Sequence, residues 1–320
     1  MERRPVSSMD LFDGHCDTIM RCYRYGYGIR ENVGNLDLKR TRPFGAYGQF
    51  FALFGEEVVE DRAQLEEVFQ SEYNIFRREM DLNRDWISFC RTGREAQAVM
   101  AQGKTAAFLS VEGADLIGCT LEGLEHAHQM GVRAINLTWN RANPLCGTTE
   151  EEPDRGLTPL GKAYVRRMQE LGMLVDVSHM SDAAFWDVAE LAQKPFVATH
   201  SNARKLCSHP RNVTDEMFEA VKQHGGTVGL NLYRTFLGEP TTVDTVVEHV
   251  EHFLSLGGEQ TVAMGCDLDG CYDEMPDGIT GVEHLEQIYN RMLQRNYKET
   301  LVHAVFFDNF MRVVNEVCIM

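Results

Sequence analysis

Short apolar runs in this chain repeatedly stop at a residue able to hold a metal ion. The first ends in Asp13-Gly14-His15-Cys16-Asp17, where a histidine and an aspartate stand two apart. On an extended segment such residues share a face, so His15 and Asp17 could grip one ion. Another run ends Ser110-Val111-Glu112-Gly113. A carboxylate followed by glycine lets a ligand approach closely, and it can bridge two cations. Val175-Asp176-Val177-Ser178-His179 and Val197-Ala198-Thr199-His200 each deliver a histidine. The last run, Met264-Gly265-Cys266-Asp267-Leu268-Asp269-Gly270, offers Asp267 as an acceptor for a proton released by bound water.

Each of these residues also has an ordinary reading. A lone HxD is a polar strand end, Glu112 can be a helix cap or a solvated side chain, and one strand-end histidine is more often structural than a ligand. Asp267 can be a turn aspartate, although Asp269 ahead of Gly270 suits that role better. The weight lies in their agreement. Carboxylates and imidazoles crowded at one end of a fold repel or desolvate one another unless cations compensate them. His126, His128, His224, His249, His252, His284 and His303 fall on helical patterns away from strand ends, where solvated or structural roles are expected. Arg211, in the loop Ser208-His209-Pro210-Arg211, carries a natural fork for a carboxylate, but loop position alone favours pairing with a surface acid.

The elements that must position these residues alternate along the chain. Apolar, β-branched or aromatic runs at 11–12, 49–54, 106–111, 134–138, 173–177, 196–199, 227–231 and 262–266 read as buried parallel strands. Helical patterns occupy 63–79, 121–130, 159–171, 181–190, 215–223 and 243–256. Thr158 before Pro159, Ser181-Asp182 and Thr214-Asp215-Glu216 supply start signals, and Gly172 and Gly225 supply stops. Strands alternating with helices predict an α/β protein with a closed (β/α)8 barrel, a doubly wound open sheet being the competitor. One domain over residues 1–320 is expected, with a loop excursion over the barrel mouth at about 21–48, rich in Gly, Arg and Tyr.

The 320 residues carry a formal net charge of −17, which argues against nucleic acid, since phosphate binding calls for clustered Lys and Arg. It also discourages docking on anionic lipid. No run approaches the length of a membrane span, and MERRPVSSMD has no apolar stretch behind its basic residues, so a cytoplasmic protein is expected. The nine cysteines are odd in number, scattered and never spaced CxxC, a pattern of reduced thiols.

The pieces DGHCDT (13–18), VEGAD (111–115), LTWN (137–140), GLTPLGK (156–162), DVSHMSD (176–182), THSNAR (199–204), RNVTDE (211–216) and GCDLDG (265–270) follow one another in a familiar order. On them the chain resembles the membrane (renal-type) dipeptidase family of metallopeptidases, peptidase family M19, and its soluble bacterial members in particular. The resemblance runs from Asp13 to about Val314. It implies a barrel of amidohydrolase type holding two zinc ions bridged by Glu112, with His15 and Asp17 completing one set and His179 and His200 the other. Manganese, cobalt or iron would also suit such mixed N/O ligands. It further implies that Arg211 binds a dipeptide carboxylate, that Tyr233 contacts substrate, and that Asp267 carries the proton of a water activated between the cations. A homodimer is compatible with the resemblance and with nothing else in the sequence.

One position departs from the pattern. Mammalian members have a substrate-contacting histidine after the fourth strand, whereas Trp139 stands there in this chain and Asn140 follows. Asn140 could donate to an oxyanion; Trp139 could wall the pocket or donate through its ring N–H. The mammalian signal peptide and lipid-anchor tail are not expected either. The function implied is hydrolysis of L-Xaa-L-Xaa or L-Xaa-D-Xaa dipeptides. A related hydrolase acting on N-acyl amino acids, cyclic amides or lactones is the alternative. A catalytically silent metal-binding protein is the distant one, disfavoured because every ligand and Asp267 are present.

Overall fold

Strands covered on both faces need residues that tolerate burial at every position. The computed structural model, which describes residues 9–55 and 61–319, shows where these lie. The parallel strands are β1 (Leu11–Cys16), β2 (Tyr47–Phe54), β3 (Ile87–Phe89), β4 (Thr105–Glu112), β5 (Val132–Asn136), β6 (Leu174–Asp176), β7 (Val197–Ala198), β8 (Thr227–Leu230) and β9 (Val262–Met264). All except β3 are buried throughout. β2 pairs with β1 on one side and β4 on the other, so the sheet closes and the open-sheet alternative falls. The ring is a (β/α)8 barrel of β1, β2 and β4–β9. β3 only flanks the first residues of β4, below the point where β5 begins to pair.

The lower barrel is filled by aromatic rings. Phe12 stacks on Phe310 with centroids 5.2 Å apart, and Phe50 lies 5.1 Å from Phe108. Phe310 comes from the helix Asn309–Val317, which thereby plugs the end opposite the strand termini that carry His and acid. Higher up, β7, β8 and β9 approach so closely that a Cβ on Gly229 or Gly265 would strike the Thr199 carbonyl oxygen.

Three expected helix starts are capped by side chains: Thr158 accepts from Gly161 N, Ser181 from Ala184 N and Thr214 from Met217 N, at 3.1, 3.0 and 3.2 Å. The segment 21–48 is more ordered than a loop excursion. Its first residues finish the helix Thr18–Tyr25, and Leu38–Thr41 forms another turn. Asn35 exchanges hydrogen bonds with Asp269 beyond β9, and then Gly45 N donates to Met9 O at the start of β1. The segment therefore runs down the flank of the barrel, because β2 must start at the same end as its parallel neighbour β1. Among the described residues no helix is long and apolar enough to cross a membrane. Residues 1–8, to which the expectation of no secretory leader refers, lie outside the described residues.

One helical histidine is fully buried and joins two loops above the strands. His249 Nδ1 accepts from Ala203 N and its Nε2–H donates to Leu237 O, each at 3.1 Å. Burial lowers its pKa to about 4. The unfolded chain takes up this proton below its model value of 6.5, while the folded one stays neutral until about 4. This stability is therefore complete above the unfolded value and is lost as pH falls through the window. From about pH 7 to about pH 5 the loss is about 2 kcal/mol. His249→Leu should be less stable at neutral pH but lose correspondingly less on acidification in urea titrations. Parallel pH profiles for the two proteins would remove His249 as a cause.

Candidate active site

His15 stands near the end of β1. Phe12 and Gly14 share the inner face of that strand, so strict alternation would turn His15 outward. A register shift between Asp13 and Cys16 breaks the alternation, and such irregularities re-aim side chains beside active sites. Asp17 is not on the extended segment, contrary to the same-face argument for HxD. It occupies the N-cap position of the helix Thr18–Tyr25, and the turn between strand and helix brings its Oδ2 to 3.5 Å from His15 Nε2.

Glu112, the last residue of β4, faces two ways. Its Oε2 is 3.1 Å from His15 Nε2, whereas its Oε1 is 2.9 Å from His179 Nε2 and 3.5 Å from His200 Nε2. The two imidazole nitrogens are 3.0 Å apart. Donor atoms around one tetrahedral zinc at its usual bond lengths stand about 3.3 Å from one another. The spacing therefore suits a divalent metal. His15, Glu112 and His200 gather within one ligand-sized volume, and so do His15, Asp17 and Asp267. Two buried atoms at this centre, His15 Nε2 and Asp17 Oδ1, have no hydrogen-bond partner.

The next shell decides which nitrogen each ring presents. Asp176 accepts from the backbone N–H groups of Ser178 and Thr199, each at 3.0 Å, and from the Thr199 hydroxyl. That hydroxyl's proton is thus committed, so the 2.8 Å contact of His200 Nδ1 with Thr199 Oγ1 must carry the ring proton. Asn140 Oδ1 is 2.8 Å from His179 Nδ1 and accepts there. Both rings therefore turn unprotonated Nε2 atoms toward Glu112, the form that binds metal. Burial lowers His179 to about 4 and holds His200 well below its usual range, so both are neutral near pH 7.

The carboxylates compete for charge. Burial, reinforced by Glu112, pushes Asp17 well up, and burial also raises Asp267. Burial acts the same way on Glu112, but the charge on the neighbouring His15 holds it well below the carboxylate range. Burial opposes a charge on His15, yet Glu112 and Asp17 lift it well above its usual value. Cations would relieve such an arrangement. His179 and Asp267 also hold φ angles of +72° and +58°, left-handed conformations that non-glycine residues adopt at a cost of order 1–2 kcal/mol.

A cavity of about 410 Å3 opens beside this cluster, and Asp17, Glu112, His179 and Asp267 all line it. Arg211, Tyr233, Trp139 and Asn140 line it as well. The sequence missed Phe54, Glu150, Phe236, Tyr272 and Glu274 on the same wall, because isolated aromatic and acidic loop residues carry no spacing signal. It also missed Asn231, whose Nδ2 donates to Asp267 Oδ2 at 2.9 Å and whose Oδ1 accepts from Tyr233 N at 2.6 Å. Trp139 packs on Phe54, centroids 4.9 Å apart, as a wall. Arg211 is 4 % exposed and has no carboxylate within ion-pair distance among the described residues. Among the described residues its Nε lacks a hydrogen-bond partner, its other guanidinium nitrogens reach Ser201 Oγ at 3.5 Å and His200 O at 3.3 Å, and its Cζ lies 5.3 Å from the Phe236 ring centre.

Imidazoles and carboxylates converging at the C-terminal mouth of a parallel barrel place this protein among the metal-dependent hydrolases. Its family can be stated as well: residues 2–319 match the model for membrane dipeptidases, peptidase family M19, and the chain belongs to that family. It is accordingly a dipeptide-hydrolysing metalloenzyme. A Rhodobacter sphaeroides metallopeptidase, solved with a phosphinate mimic of the dipeptide L-Ala-D-Ala, superposes with a TM-score of 0.88 at 27% identity, covering 97% of this chain and 100% of that one. A second solved metallopeptidase of the family, dipeptidase AC, gives 0.89 at 28% identity over 97% and 99% of the two chains. The dipeptidase tcpJ of Claviceps purpurea is 29% identical over 330 aligned residues, covering 95% of this chain and 76% of the fungal protein.

Proposed function

We propose that this chain is a dinuclear zinc dipeptidase cleaving L-Xaa-L-Xaa and L-Xaa-D-Xaa substrates. The observation that carries the substrate assignment is Arg211. A buried guanidinium with no acid partner among the described residues, in the cavity that also holds the metal-binding cluster, calls for an anion from outside. A dipeptide's terminal carboxylate fits that fork, and anchoring it limits cleavage to short substrates.

His15 and Asp17 would hold one cation, His179 and His200 the other, and Glu112 would bridge them through its two oxygens. Such ions would supply Lewis acidity toward a peptide carbonyl and lower the pKa of a water to about 7. The chain's own groups do the rest. Arg211 fixes the carboxylate end and so sets the distance of the scissile bond from the cluster. Asp267 Oδ1, facing His15 at 3.9 Å, takes a proton while Asn231 holds Oδ2, and then returns it to the leaving amine. Asn140 holds His179 through Nδ1, so its carbonyl serves positioning, and only its Nδ2 is left for the oxyanion role expected from sequence. Trp139 and Tyr233 wall the cavity against water.

An N-acyl amino acid also presents a carboxylate to Arg211, so the related hydrolase reading differs in needing no free amino group. The deciding experiment measures metal content alongside hydrolysis of L-Ala-L-Ala, L-Ala-D-Ala and N-acetyl-alanine, with and without chelator. About two zinc equivalents are expected, with dipeptide cleavage lost to chelator and restored by zinc, manganese or cobalt. Activity indifferent to chelator would sink the scheme, and cleavage of the acetylated compound alone would favour the rival.

A further inference from the structure

The cavity beside the metal-binding cluster has more acid on its walls than the cluster needs. Glu150 and Glu274 line it from the loops after β5 and β9. Both are exposed, and neither has an ion-pair partner among the described residues. Elsewhere acidic side chains are commonly paired, as Asp244 is with Arg291 and Arg295, or Glu125 with Arg167. Arg211 is the only Lys or Arg among the described lining residues, and its burial commits it to an anionic group.

The backbones that carry the two glutamates are held in place. Thr148 Oγ1 accepts from Glu150 N at 3.2 Å and donates to Asn140 O at 2.9 Å, tying Glu150 to the strand end that carries Trp139. Thr149 N donates to His179 O at 3.1 Å. On the other loop Glu274 O accepts from Arg234 N at 2.8 Å. Trp139, Phe54 and Tyr272 line the same cavity, and aromatic faces attract cations. Tyr272 already holds one cation, with Arg21 stacked 4.4 Å from its ring centre.

We propose that Glu150 and Glu274 make this site selective for dipeptides bearing a cationic side chain, lysine or arginine, an inference that rests on the dipeptidase reading above. Arg211 takes the terminal carboxylate, the aromatic walls cover the methylene stem, and the rim carboxylates take the ammonium or guanidinium. The formal net charge of −17 adds attraction over distance for such substrates.

The test compares kcat/KM of the metal-loaded enzyme for Ala-Lys against Ala-norleucine and for Lys-Ala against norleucine-Ala, since norleucine is lysine without its ammonium. At least one lysine peptide is expected to be favoured about tenfold, with the ratio falling as salt rises. Glu150→Gln should reduce at least one of the two ratios, and the double variant Glu150→Gln/Glu274→Gln should bring both near one. Equal rates on lysine and norleucine peptides in the unaltered enzyme overturn the inference and leave the dipeptidase reading standing. A preference untouched in a folded double variant overturns it too. Hydrolysis of none of the four peptides removes both readings together.

Discussion

Arg211→Met is expected to lower kcat/KM for dipeptides by about 10²–10⁴-fold while metal content stays the same. Two charge-assisted hydrogen bonds from a buried guanidinium to a carboxylate contribute about 1.5–3 kcal/mol each, and 1.4 kcal/mol is a factor of ten. The variant should fold at least as stably. Burial already depresses the pKa of Arg211, and its remaining contacts, at 3.3 and 3.5 Å, are long. Exchanging an unpaired buried charge for a thioether of similar length removes a desolvation cost. A substrate without the charge provides the control. The C-terminal amide of the same dipeptide offers Arg211 nothing ionic, so enzyme and variant should cleave it at similar rates. An equal loss on acid and amide would mean that Arg211 shapes the cavity rather than reading the carboxylate.

The residues bearing chemistry were more legible in the sequence than the elements around them. His15, His179 and His200 each bring Nε2 to within 3.5 Å of a Glu112 oxygen, all four residues standing at or just past strand ends. His15 and Asp17 do not meet on a shared strand face, because Asp17 lies past the strand and the turn makes the contact. β1 itself runs on to Cys16, beyond the apolar pair at 11–12. Periodicity could not show this, since the continuation contains Asp13. Burial raises that carboxyl to about 6, and Gln49 Nε2 and Cys266 N satisfy its oxygens at 2.8 and 2.7 Å. A buried polar residue inside a strand is permitted by partners far away in the chain, which a local window does not see.

Other omissions have similar causes. β3 has three residues and pairs only with β4, too little for a hydrophobic run to register. The helix Gly93–Met100 was missed although Thr92 and Glu95 form a reciprocal capping box, a signal available in the sequence. The helices Glu286–Gln294, Glu299–His303 and Asn309–Val317 follow the last strand, where alternation no longer prompts a search. The last of these supplies Phe310, the plug of the barrel, so its importance arises wholly from packing. Asn231, Thr199 and Asp176 escaped for the same reason. Their value lies in whose proton they hold, and that depends on the fold bringing β6, β7 and β8 side by side.

Asp267→Asn is expected to cut kcat by about 10²–10⁴-fold, the range of a positioned general acid–base, with little change in KM and none in metal content. The substitution is nearly isosteric, and the site tolerates the neutral form, because burial already raises Asp267. Asn231 Nδ2 donates to Asp267 Oδ2, so an asparagine at 267 would satisfy it with its carbonyl oxygen. Its amide NH2 would then take the place of Oδ1, setting a donor where an acceptor is required. The strained φ of +58° suits asparagine better than most residues, so the backbone should hold. Geometry supplies a competing outcome that metal analysis can read. Asp267 Oδ1 lies 3.9 Å from His15 Nε2 and gathers with His15 and Asp17 as a ligand would. If the variant loses one metal equivalent along with its activity, Asp267 is a ligand and the proton must travel through another group. If it keeps both metals and its turnover, Asp267 has no part in the chemistry. Retained metal with lost turnover is the result that a proton carrier held by Asn231 requires.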